Sequence, residues 1–78
     1  MINKNRVGFT KREDGYIIST IEPSFMTWYG KYETAIAFEG EFVWRVAEGY
    51  ETEEEALEGH KKYVSMTEEE INHINYIG

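Results

Sequence analysis

Thr52-Glu53-Glu54-Glu55-Ala56-Leu57-Glu58-Gly59-His60-Lys61-Lys62-Tyr63-Val64-Ser65 carries a complete helix signal. Its first four residues have the capping-box form: the Thr52 hydroxyl accepts from the amide three residues on, and the Glu55 carboxylate reaches back to the Thr52 amide. Acids in the first turn suit the positive end of the helix dipole, and Lys61 and Lys62 suit its later turns. Ala56, Leu57, His60, Tyr63 and Val64 recur at helical spacing, which predicts one apolar stripe on a helix over 53–65. Gly59 interrupts good helix formers at a cost of roughly 0.5–1 kcal/mol relative to alanine. An interior glycine of this kind predicts close approach of another backbone, with the sheet as the candidate.

Strand patterns lie upstream of the helix. Val7 and Phe9 alternate before the turn-forming Lys11-Arg12-Glu13-Asp14-Gly15, and Tyr16–Ile21 is rich in Ile, Tyr and Thr before Glu22-Pro23 ends it. Residues 7–21 thus read as a hairpin with its loop at 11–15. Phe25–Gly30 is aromatic and irregular, with Trp28-Tyr29-Gly30 leading into the next strand. Tyr32, Thr34, Ile36 and Phe38 then alternate with Glu33, Ala35 and Ala37. After Glu39-Gly40-Glu41 the pattern resumes with Phe42, Trp44 and Val46 on one face and Val43, Arg45 and Ala47 opposite. A turn near Gly40 sets Phe38 against Phe42, Ile36 against Trp44 and Thr34 against Val46, which places every bulky residue on the face that a helix covers. Thr67-Glu68-Glu69-Glu70 repeats the capping box, and Ile71 and Ile74, continued by Ile77, predict a short second helix ending by Gly78. The expected fold is α+β: three or four antiparallel strands, one main helix on the aromatic face, and a short C-terminal helix or tail.

Seventy-eight residues suit one domain, 1–78, with one modest core. Cysteine is absent, so no disulfide framework supports that core. Two Trp, six Tyr and four Phe supply large buried areas from few side chains, and a core shared with a second copy is a further route to stability. No apolar run approaches the roughly 18 to 20 residues that a membrane span needs, and residues 1–10 lack the apolar stretch of a secretory signal. A cytoplasmic location is expected.

The net charge of −7 is unevenly distributed. Lys4, Arg6, Lys11 and Arg12 are half of the eight basic residues, while nine acids fall between Glu48 and Glu70 against Lys61 and Lys62. Such an acidic pole repels nucleic acid and attracts basic protein surfaces, with Glu53, Glu54 and Glu58 as its helix residues. It equally serves solubility as a solvated face, and carboxylates spaced like phosphates would make it a nucleic-acid mimic.

The catalytic inventory is thin. No serine sits in a Gly-x-Ser-x-Gly context, and Gly30 and Gly40 are isolated from any glycine-rich phosphate loop. His60 and His73 lie thirteen residues apart, far from the spacing that clamps a metal across one helical turn. No metal, cofactor or catalytic residue is expected. His60, on the apolar stripe, reads either as a ligand or acid–base group or as a core histidine bonded to a strand. Glu33 and Arg45 fall on the strand-pair face opposite the aromatics, as a surface ion pair or as recognition groups. Trp28 and Trp44, with Tyr29, Tyr32, Phe38 and Phe42, read as core packing or as a stacking platform. Aromatics that one short helix cannot cover favour self-association or a protein partner.

Tyr32-Glu33-Thr34-Ala35-Ile36-Ala37-Phe38, then Tyr50-Glu51-Thr52 and Glu55-Ala56-Leu57-Glu58-Gly59-His60, resemble a widespread group of small bacteriophage proteins of unassigned activity. The group's pattern runs Glu-Thr-Met-Val/Ile-Phe, then Tyr-x-Thr-x-x-Glu-Ala-x-x-Gly-His, and matches over roughly the C-terminal three-fifths of the chain. Ala35 stands where the group usually carries Met. The resemblance implies phage origin and a role in an infected bacterium, and it directs attention to Glu33, Thr34, Gly59 and His60 as site candidates. The function expected is non-enzymatic binding of a host or phage protein, counter-defence inhibition being one form. The rival is a sequestering protein for a small anionic ligand or nucleotide signal, held by His60, Arg45 and the tryptophans.

Overall fold

β-Branched and aromatic residues at period two, broken by polar glycine-containing turns, form four antiparallel strands: β1 (Asn5–Lys11), β2 (Tyr16–Glu22), β3 (Tyr32–Phe38) and β4 (Arg45–Tyr50). Helices α1 (Glu53–Ser65) and α2 (Glu68–Asn72) follow. The computed structural model describes residues 5–23, 29–41 and 43–78; Trp28, Phe25 and Phe42 lie outside them. The sheet runs β1-β2-β3-β4 in chain order, and α1 packs across all four strands. The fold is α+β, with one main helix on one face of an antiparallel sheet.

Both helices begin as the sequence dictates. Thr52 Oγ1 accepts from the Glu55 amide at 3.1 Å while Glu55 Oε1 accepts from the Thr52 amide at 3.2 Å. Thr67 and Glu70 repeat the arrangement at 3.1 and 2.8 Å. The second helix ends at Asn72, and its Ile71, 1% exposed, is inserted beside Ile18, Ile36, Ala47 and Tyr63. Burying that one side chain is worth about 1.5–3 kcal/mol, which is how a five-residue helix stays docked. A second cluster joins Tyr32, Tyr50 and Ala56, with Val7 against it. Beyond α2, Ile77 N donates to Val46 O at 2.8 Å and Val46 N donates to Gly78 O at 3.0 Å, so the tail borders β4 rather than continuing a helix.

Three expectations are corrected. The β3–β4 register pairs Ile36 with Arg45, Ala35 with Val46 and Thr34 with Glu48, not Ile36 with Trp44 or Thr34 with Val46. The pairing shifts between Thr34 and Ala35, where Ala47 is the additional residue on β4; such a bulge exchanges which side chains face the helix. Glu48 and Tyr50 thereby turn inward, and Trp44 is left 49% exposed ahead of the strand. The same shift separates Glu33 from Arg45: Glu33 is opposite Gly49 and Arg45 opposite Ile36, so the two lie on opposite faces and form no pair. On α1 the buried line is Ala56, Gly59, His60 and Tyr63, whereas Leu57 is exposed. The buried line runs through Gly59 and leaves Leu57 on the solvent side of the helix.

Candidate functional site

Five residues form a hydrogen-bonded polar chain through the core. Thr20 and Thr34, opposite each other on β2 and β3, are both fully buried with their hydroxyl oxygens 2.6 Å apart. Thr20 Oγ1 lies 2.8 Å from His60 Nδ1, and Thr10 Oγ1 on β1 lies 3.0 Å from His60 Nε2. At the other end, Thr34 Oγ1 lies 3.0 Å from the Tyr50 hydroxyl. A neutral imidazole presents one donor and one acceptor, and hydroxyls that play either part satisfy both nitrogens. The chain Thr10–His60–Thr20–Thr34–Tyr50 therefore crosses all four strands with each member bonded.

Glycines make room for it. A β-carbon at Gly8 would fall 2.7 Å from the His60 ring, and one at Gly59 would fall 2.1 Å from the Tyr50 hydroxyl. The close approach at Gly59 is thus by a phenol ring, not by a backbone. Burial drives the His60 pKa below its ordinary 6.5, favouring the neutral ring. Burial likewise pushes the Tyr50 phenol up, and nearby Glu48 adds to it. Thr34, Tyr50, Gly59 and His60 meet here and hold α1 on the sheet.

Next to Tyr50 the surface opens into a groove between β4 and α1 lined by Glu48, Glu54, Glu55 and Glu58, with Gly59 and Lys62. Glu48 anchors it: its Oε1 accepts from Lys62 Nζ at 2.8 Å and from the Tyr63 hydroxyl at 3.3 Å. Burial opposes the Glu48 charge, but the Lys62 ammonium and the tyrosine hydroxyls outweigh it and hold the carboxyl below its ordinary range. The same contact raises Lys62. Glu53 is exposed at the start of α1, outside the groove lining.

A separate cleft of about 440 Å³ opens where β2 and β4 begin and β3 ends. Arg45, Tyr16, Phe38 and Tyr76 line it above Ile36 and Ile71. The predicted site residues therefore divide. Thr34, Gly59 and His60 come together in the core, Arg45 stands at the cleft, Glu33 is half-buried on the opposite sheet face, and Trp44 is exposed. Trp28 lies outside the described residues. His60 and Arg45 do not share a site.

Sequence reasoning passed over Thr10 and Thr20 as partners of His60, although Thr20 carries a signal. It is a hydroxyl at an inward position next to Ile18, and buried polar groups require partners. Tyr16 and Tyr76 carried none: Tyr16 meets Phe38 as its cross-strand partner, and Tyr76 joins them only because the C-terminal tail returns to the sheet. Among the described residues no three His, Asp or Glu side chains are grouped to hold a metal ion, and no helix is long and apolar enough to cross a membrane. No protein-family model, no curated protein and no solved structure matches the chain.

Proposed function

We propose that the chain is a non-enzymatic, phage-encoded binding protein that presents its acidic groove to a basic surface of a host or phage protein, a bacterial defence component being the specific target class. The observation that carries this reading is the groove beside Tyr50, where Glu54, Glu55 and Glu58 from α1 and Glu48 from β4 face one volume with Lys62 as their cation. Concentrated like charge in a concave, partly apolar setting steers oppositely charged partners and raises association rates. The core supports the non-enzymatic part, since His60 is buried and both ring nitrogens are taken by threonine hydroxyls.

The test is affinity capture from bacterial lysate with the wild-type chain and a Glu54→Lys/Glu58→Lys variant, over a salt series. A basic protein retained by the wild type, released as salt rises and lost in the variant is the expected result. Capture that the two reversals leave untouched, or none at low salt, would sink the reading. Both side chains are exposed on α1, so the variant keeps its core.

A further inference from the structure

We propose that the cleft at the β2–β3–β4 end is a binding site for a mononucleotide. Its position is set by the bulge at Ala47. By putting Arg45 opposite Ile36, the register shift brings a guanidinium to the inward face of the sheet at the end that α1 leaves open. Among the described residues Arg45 forms no ion pair; it rests against Tyr76, 5.7 Å from the ring centroid. An arginine held at an aromatic wall with no carboxylate in ion-pair contact is well disposed to a phosphate, whose oxygens match the two-pronged geometry of the guanidinium.

The rest of the cleft fits the other half of such a ligand. Tyr16 and Phe38 meet edge to face, centroids 5.0 Å apart and planes at 76°, so ring faces and edges both line the space. Tyr76 also lines the cleft, so three aromatic rings border it together with Ile36 and Ile71, a setting in which a flat heterocycle stacks. Asn72 accepts from the Tyr16 hydroxyl through its side-chain oxygen, which leaves its NH2 as a donor at the rim. Glu41, also lining the cleft, supplies an acceptor. A simple anion gains nothing from Glu41 and is repelled by it. A nucleobase, bearing N–H donors and ring acceptors some distance from its phosphate, uses Glu41, Asn72 and Arg45 together. The volume of about 440 Å³ lies within the range of small-molecule sites.

This site shares no lining residue with the acidic groove, so it stands or falls independently of the protein-binding reading. Isothermal titration calorimetry of the full chain with AMP, GMP, CMP and UMP, beside adenosine and inorganic phosphate, tests it. At least one mononucleotide is expected to bind with Kd below about 1 mM, and about tenfold or more tighter than adenosine or phosphate alone. Arg45→Gln should weaken the nucleotide by about tenfold and leave adenosine unchanged, while Tyr76→Ala should weaken both by about tenfold. Arg45 is exposed, so its replacement leaves the fold in place, which circular dichroism checks. Glu54→Lys/Glu58→Lys should leave the nucleotide heats unchanged. Absence of binding by every mononucleotide at millimolar concentration, no mononucleotide tighter than adenosine and phosphate, or Arg45→Gln binding as the wild type does would each overturn the proposal.

Discussion

The hydroxyl of Tyr50 lies directly beneath Gly59, so close that a β-carbon there would fall 2.1 Å from the phenol oxygen and 2.3 Å from the ring carbon bearing it. This contact ties the last strand to the main helix, and it carries a prediction whose sign runs against helix propensity. Gly59→Ala in an exposed helix would stabilise by up to about 1 kcal/mol. Here the ring would have to move, yet it is buried and its hydroxyl is bonded to Thr34. Overpacking of this kind costs about 1–3 kcal/mol, so the variant should unfold at lower urea than the wild type. An increase in the midpoint would mean that the ring swings away freely.

Thr20 occupies the centre of the polar chain, bonded to both His60 and Thr34. Thr20→Val keeps the shape and removes the hydroxyl, leaving His60 Nδ1 without that partner in a site that excludes water. The expected loss is about 1–3 kcal/mol, read from chemical denaturation. Thr20→Ser retains the oxygen and should recover most of the loss. Equal destabilisation by both variants would show that packing of the threonine methyl, not the hydrogen-bond chain, is what matters.

What the sequence discloses of this molecule follows the range of the interactions involved. Both helices and their caps were legible because a capping box is contained in four consecutive residues, and Thr52–Glu55 and Thr67–Glu70 form it without help from the fold. The first hairpin and β3 were legible from alternation. The β4 register was not, since Val43, Arg45 and Ala47 alternate with Trp44 and Val46 so evenly that either face reads as apolar. What selects the bulge is Tyr50, three residues past the end of that pattern at 43–47, which must reach Thr34 and fit under Gly59. The site followed the same rule: His60 could be placed on the buried face of its helix from the sequence, whereas its partners Thr10 and Thr20 come from strands forty or more residues away. Arg45, read as a partner of Glu33, became a cleft residue solely through that bulge.

Arg12 joins the first turn to the main helix. Its Nε and Nη2 donate to the two Asp14 carboxylate oxygens at 3.1 and 2.6 Å, and Nη1 donates to the Tyr63 carbonyl at 2.9 Å near the end of α1. A lysine carries the charge but lacks the planar fork that serves three acceptors in fixed directions. Arg12→Lys and Arg12→Ala should therefore both destabilise, by about 1–3 kcal/mol, with lysine recovering less than half of the alanine loss. Hydrogen exchange at the last turn of α1 should rise in both variants. Full recovery by lysine would show that charge alone is required.

Stability should fall in two stages on acidification. Burial depresses the His60 pKa from 6.5, so at a given pH just below that value the unfolded chain holds more protons than the folded one. The His60 contribution is thus complete above about pH 6.5 and is lost as pH falls through the depressed folded value. Asp14 and Glu48 shift downward too, Asp14 chiefly through its bond to Arg12 and Glu48 because Lys62 overrides the opposing effect of burial. Their contributions are complete above the ordinary 3.8 and 4.5 and disappear as pH falls through the lowered values, a more acid window than that of His60. Urea midpoints measured from pH 7.5 downward should therefore begin to decline near pH 6.5 and decline again below pH 4.5. His60→Gln, whatever its own cost in stability, has no group titrating in the first window and should keep only the second. A first decline that persists in His60→Gln would assign it to a group other than the buried imidazole.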